Sequence, residues 1–111
     1  VVLWGDGSPT REFLYVDDAA EGILAACERY DSSDAINLGC GREISIRELA
    51  ALIGKLMGYQ GRFTFDATKP NGQPRRALDV TRAKERLGWT AQTSFDEGLA
   101  KTIAWVRQYE K

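Results

Sequence analysis

Ser45-Ile46-Arg47-Glu48 constrains this chain more than any other four residues. A serine and a glutamate at this spacing can satisfy each other's otherwise orphaned backbone donors, a capping box that starts a helix. Ile46, Leu49, Ala50, Ile53, Leu56 and Met57 follow at helical spacing, and Gly58 is the expected left-handed stop. The pattern predicts a helix from 46 to 57 with one apolar stripe. A second box, Ser94-Phe95-Asp96-Glu97, opens a final helix whose apolar face is Phe95, Leu99, Ile103 and Val106. Asp17 and Asp18 are read as N-caps of a third helix, ending near Tyr30, with Ala20, Ile23, Leu24 and Cys27 as its stripe. Asp79 can cap a short fourth helix through Leu87, with Gly88 as its stop.

Between these helices the extended candidates are short: Val1 to Trp4, Arg11 to Val16, Ala35 to Leu38 and Arg62 to Phe65. The connections Gly5 to Pro9 and Asp66 to Pro74 are rich in turn formers, and the second is a natural place for a site. There are no repeats or linkers, so residues 1–111 read as a single α+β unit of short strands and three to four helices.

Composition narrows the chemistry. With 43% hydrophobic and 28% charged residues the chain is of globular type, and a net charge of -1 provides no global field for nucleic acid or an anionic membrane. Any anion site must be local. The absence of histidine excludes a Ser-His-Asp triad and histidine-ligated metal. Cys27 and Cys40 are too few for a disulfide framework, no apolar run is long enough to span a bilayer, and a reducing cytoplasm fits both.

Gly39-Cys40-Gly41 invites comparison with a dinucleotide-binding GxGxxG loop, but its third glycine position is Ile44, so a strand-to-helix turn is the better reading. No tyrosine has a lysine four residues on, so the tyrosine base of the short-chain dehydrogenases is not present. Cys40, without a histidine base, reads as structural filling rather than a nucleophile. Arg11 follows the first Gly/Pro loop and Arg75 and Arg76 follow the second. Guanidinium forks bind phosphate through paired donors, so arginines from two loops could clamp a pyrophosphate, although on spacing alone a solvated face is the more economical reading. Trp4 reads as a core aromatic or as a plane offered to a sugar or base.

Together, Trp4-Gly5-Asp6-Gly7-Ser8-Pro9-Thr10-Arg11-Glu12-Phe13-Leu14-Tyr15-Val16-Asp17-Asp18, Ile36-Asn37-Leu38-Gly39, Lys69-Pro70-Asn71-Gly72-Gln73-Pro74-Arg75-Arg76-Ala77-Leu78-Asp79-Val80 and Leu87-Gly88-Trp89 resemble the C-terminal third of the GDP-L-fucose synthase family. RxFLxVDD and NLG are shared widely among extended short-chain dehydrogenase/reductases. WGxGxPxREF combined with KPxGxPRxxLDV is narrower. The resemblance implies a small substrate-binding lobe that completes the edge of a Rossmann sheet. It also implies an NADP-dependent epimerase and reductase converting GDP-4-keto-6-deoxy-mannose to GDP-fucose. The cofactor glycines, the Ser-Tyr-Lys set and the epimerising Cys and His belong to the family's N-terminal part. No catalytic, cofactor or metal residue is therefore assigned here.

The chain has no initiator Met, and the expectation is a truncated lobe, inactive alone. By the resemblance, Trp4, Arg11 and Arg76 bind substrate, and Asn71 stands where the family usually has Asp. The expected partner is a GDP-linked nucleotide sugar, with association to a Rossmann domain or to further copies, the latter through the edge of the Ala35 to Leu38 strand. Arg11 and Arg76 are expected to converge on one anion, while Arg47, on an exposed helix face, stays outside it. Two other readings stand: a free-standing assembly module on the same scaffold, and a lobe of a UDP- or dTDP-sugar epimerase or dehydratase.

Overall fold

A computed structural model describes residues 1–110. The elements in order are β1 (Val2–Trp4), β2 (Thr10–Glu12), α1 (Val16–Arg29), β3 (Glu43–Ser45), α2 (Ile46–Met57), β4 (Thr64–Asp66), β5 (Arg75–Arg76), α3 (Thr81–Leu87) and α4 (Phe95–Tyr109). It is a small α/β unit. β1 pairs in parallel with β4, Leu3 opposite Phe65, while β2 is the centre of a three-stranded sheet, antiparallel to β3 and parallel to β5.

The reciprocal box at α2 forms in full: Glu48 N–H donates to Ser45 Oγ at 3.1 Å and Ser45 N–H to Glu48 Oε2 at 3.0 Å. Gly58 closes the helix at φ 69°. At α4 only half of the predicted box exists. Ser94 Oγ accepts from Glu97 N–H, but the Glu97 carboxylate pairs with Lys101 one turn on. α3 starts at Thr81 with Val80 as its cap residue, and Asp79 contributes by accepting the Thr81 N–H at 2.9 Å.

Three sequence expectations are corrected. Asp17 and Asp18 do not cap α1; the helix begins one residue before them, after Tyr15, with no side-chain cap. Asp18 is instead buried, accepting from the backbone N–H groups of Gln92 and Thr93, which ties α1 to the connector before α4. The stripe of α1 also faces the other way. Ile23 and Leu24 are exposed, whereas Gly22 and Ala25 are buried, because the partner is Trp89. A Cβ at Gly22 would stand 2.9 Å from that indole, so the contact requires the small-residue face. Ala35 to Leu38 is no strand: its backbone is pinned as coil, with Ala35 O accepting from Arg82 and Asn37 Nδ2 donating to Asp79 O. An edge for strand pairing is therefore absent there.

The core is Ala25, Ala83, Leu87 and Trp89, with Leu14, Ala26, Tyr30, Ile36, Leu38 and Ala91 packed against it. Arg29 adds a polar staple, donating to Leu87 O at 2.7 Å. This cluster anchors α1 to α3.

Candidate functional site

Two loops converge on one surface. The first, between β1 and β2, turns through Gly5 at φ 81° and Gly7 at φ 79°, a region that L side chains enter only with strain. The second runs from β4 to β5 and carries Asn71. Asn71 Oδ1 accepts the Asp6 N–H at 2.8 Å, and a Cβ at Gly5 would collide with that same oxygen. The glycine is thus needed for a close approach as well as for its φ. Gly5 N–H donates to Asp66 O at 2.9 Å, so the two loops are joined at consecutive residues.

Trp4 lies at the end of β1, 69% exposed, with Lys69 Nζ 5.6 Å from its ring centroid. That exposure removes the core reading of Trp4 and leaves an accessible aromatic face beside a cation.

The arginines separate into two kinds. Arg75 forks onto Glu43 through Nε and Nη2 at 2.7 to 2.9 Å, and Thr10 Oγ1 also donates to Glu43. The guanidinium and the hydroxyl hold the Glu43 carboxyl below its ordinary range, and the Glu43 carboxylate raises Arg75 in turn. The charge of Arg75 is thereby neutralised. Arg11 and Arg76, by contrast, are register partners on β2 and β5, although 65 positions apart. Residues paired across neighbouring strands share a sheet face. Arg11 Nη1 donates to Thr10 O at 2.7 Å and to Gln73 O at 2.8 Å, which fixes the guanidinium plane against the second loop. Neither Arg11 nor Arg76 forms an ion pair with a described residue. Arg76 lines a concavity of about 590 Å³ with Arg75, Ala77, Leu78 and Asp79. The structure therefore makes Arg11 and Arg76 neighbours in the backbone register, joins the two loops through Asn71, and sets Trp4 at the far end of the first loop.

A separate cavity of about 610 Å³ lies among Phe13, Leu49, Ile53, Phe95 and Leu99. Its lining is mainly apolar, so it suits no pyrophosphate. Two further residues border these loops. Lys69 was visible only as part of the KPNG turn. Arg47, set aside as solvated, stacks on Phe65 with its Cζ 3.9 Å from the ring centroid and donates to Asp6 O. Nothing local to 45–48 signals a contact with residues 41 positions away.

The sequence profile of the GDP-mannose 4,6 dehydratase family matches residues 1–102. GDP-L-fucose synthase of Escherichia coli K12 is 46% identical over 114 residues, covering 95% of this chain and 35% of that protein. A GDP-L-fucose synthetase from Naegleria fowleri, solved with NADP, superposes with a TM-score of 0.89 at 31% identity, over 99% of this chain and 35% of that one. UDP-glucose 4-epimerase from Thermotoga maritima, solved with UDP-glucose, superposes at 0.90 with 32% identity, over 100% and 36%. The chain spans about a third of the length of these relatives. With its profile match over nearly the whole sequence and the same fold as these enzymes, the chain belongs to the GDP-mannose 4,6 dehydratase family.

Proposed function

We propose that this chain is the nucleotide-sugar-binding part of a GDP-L-fucose synthase-like, NADP-dependent epimerase and reductase. The observation that carries the reading is the register pairing of Arg11 with Arg76, two arginines on adjacent strands without acidic partners among the described residues. A pyrophosphate supplies the two negative groups that such a pair lacks, and charge-assisted hydrogen bonds to it are worth about 1.5–3 kcal/mol each. Trp4 offers its ring to the sugar or base, and Asn71 holds the two loops in register rather than supplying charge. The hydride and proton transfers lie outside these residues, since no tyrosine here has its lysine, so NADPH consumption by this chain alone is expected to stay at background. Two free cysteines fit a cytoplasmic setting. The exposed apolar residues of α1 support association with a Rossmann domain or with further copies.

Calorimetric titration with GDP, UDP and dTDP tests the reading. Saturable binding with GDP preferred is expected, and Arg11→Ala or Arg76→Ala should each weaken it by about tenfold to a hundredfold. Preference for UDP would move the chain to the sugar class of the Thermotoga enzyme. No saturable binding, with a defined oligomer by light scattering, would favour an assembly module.

A further inference from the structure

We propose that Arg47 is a positioning residue for the nucleotide-sugar site, holding the turn that links Trp4 to Arg11 without itself meeting the ligand. The inference rests on the binding function proposed above. Trp4 and Arg11 stand on either side of Gly5 to Thr10, so the orientation of that turn sets where their side chains meet a ligand.

Three contacts run from the start of α2 to this turn. Ile46 N–H donates to Pro9 O at 3.0 Å and Arg47 N–H to Gly7 O at 2.9 Å, so the first-turn donors that a helix leaves unpaired are spent on the loop. The Arg47 side chain then reaches further along the turn, and its Nη2 donates to Asp6 O. Both backbone polar groups of Asp6 are thereby held by side chains from other elements, the N–H by Asn71 and the carbonyl by Arg47.

The guanidinium is itself kept in place by the Phe65 face, a cation–π contact. Gly7 presses on this pair: a Cβ there would stand 2.5 Å from Phe65 Cε1 and 3.0 Å from Arg47 Cβ. The planar fork is what combines stacking on a ring with donation to a carbonyl. A lysine keeps the charge and loses the stacked plane. Arg47 thus acts on the anion site through Asp6 and the turn, whereas Arg11 and Arg76 act through their own charge.

The test is nuclear magnetic resonance of the 15N-labelled chain together with GDP titrations at low and high salt. The Trp4 indole signal is identified with Trp4→Phe. Without ligand, Arg47→Lys, Arg47→Ala and Phe65→Leu should each shift the Trp4 indole and Asp6 amide resonances. The three variants should lower GDP affinity by about threefold to tenfold, while the drop in affinity from low to high salt stays that of the parent chain. Arg11→Ala and Arg76→Ala should instead flatten that drop. Phe65→Leu leaves Arg47 in place and serves if Arg47→Ala fails to fold. Unmoved Trp4 and Asp6 resonances, or an Arg47→Lys chain identical to the parent, would overturn the proposal. If the resonances move and the parent chain binds no GDP, the turn is positioned as described and the binding function falls. If the parent binds GDP and the Arg47 variants bind it equally well, the binding function stands and the positioning role falls.

Discussion

The helical side and the loop side of this chain are held together by different physics. Around Trp89 the contacts are apolar and close, with Ala83 and Leu87 almost wholly removed from water. Around Asp6 and Asn71 the second loop is exposed while Gly5, Gly7 and Pro9 of the first are buried, and the fastening is a set of single hydrogen bonds between backbone and side chain. The first side derives its stability from removed apolar area, the second its geometry from directional contacts whose net worth is about 0.5–1.5 kcal/mol each.

Leu87→Ala separates the two sides most strongly. It empties a fully enclosed position in the core, so it should cost about 2–5 kcal/mol and lower the urea midpoint of the whole chain. GDP affinity at saturating folded population should remain that of the parent. A parallel loss of affinity would mean that the two sides are one cooperative body.

Gly5→Ala acts on the other side. A methyl group there must take a positive φ and displace the Asn71 oxygen, a strain of about 1–2 kcal/mol from the backbone alone. Faster amide exchange at Asp6 is expected, with weakened GDP binding and little change at Trp89. Protection at Asp6 equal to the parent's would show that Asn71 does not hold the turn.

The smallest effect concerns Glu43. Its folded-state carboxyl is held low by Arg75 and then Thr10, so its contribution to stability is present above the unfolded glutamate value. That contribution fades as pH falls through the depressed folded value. Because the group is solvent-exposed, screening keeps the effect small. Glu43→Gln should remove this part of the acid limb while leaving stability near neutral pH only slightly reduced, as followed by thermal melts from pH 7 downward. An unchanged acid limb would show that the pair does nothing for β2 and β3.

Local signals were legible and distant ones were not. The box at Ser45, the stops at Gly58 and Gly88, and the turns at Gly5 and Gly7 depend on chemistry within four residues, and all stand as read. Arg11 and Arg76 stood out only through their family motif; their backbone pairing across β2 and β5 depends on a register that no local pattern encodes. The face of α1 was not, because periodicity follows the bulkiest residues while Trp89 demands the smallest. β3 and β5, three and two residues long, owe their existence to their partner β2 and carry little strand pattern of their own. Glu97 could equally cap its helix or pair with Lys101, and sequence spacing permits both.

The Asp6 to Asn71 bond joins positions 65 apart, and the parallel pairings of β1 with β4 and β2 with β5 bridge comparable lengths of chain. Closing so long a loop has an entropic cost that falls mainly on the first such contact, because the later pairings then close only short remaining loops. The helices, with local contacts, can form before this closure, whereas the pairing of Arg11 with Arg76 exists only after it. A pyrophosphate bridging Arg11 and Arg76 would therefore act as a clasp on the chain's topology, slowing the separation of its two ends.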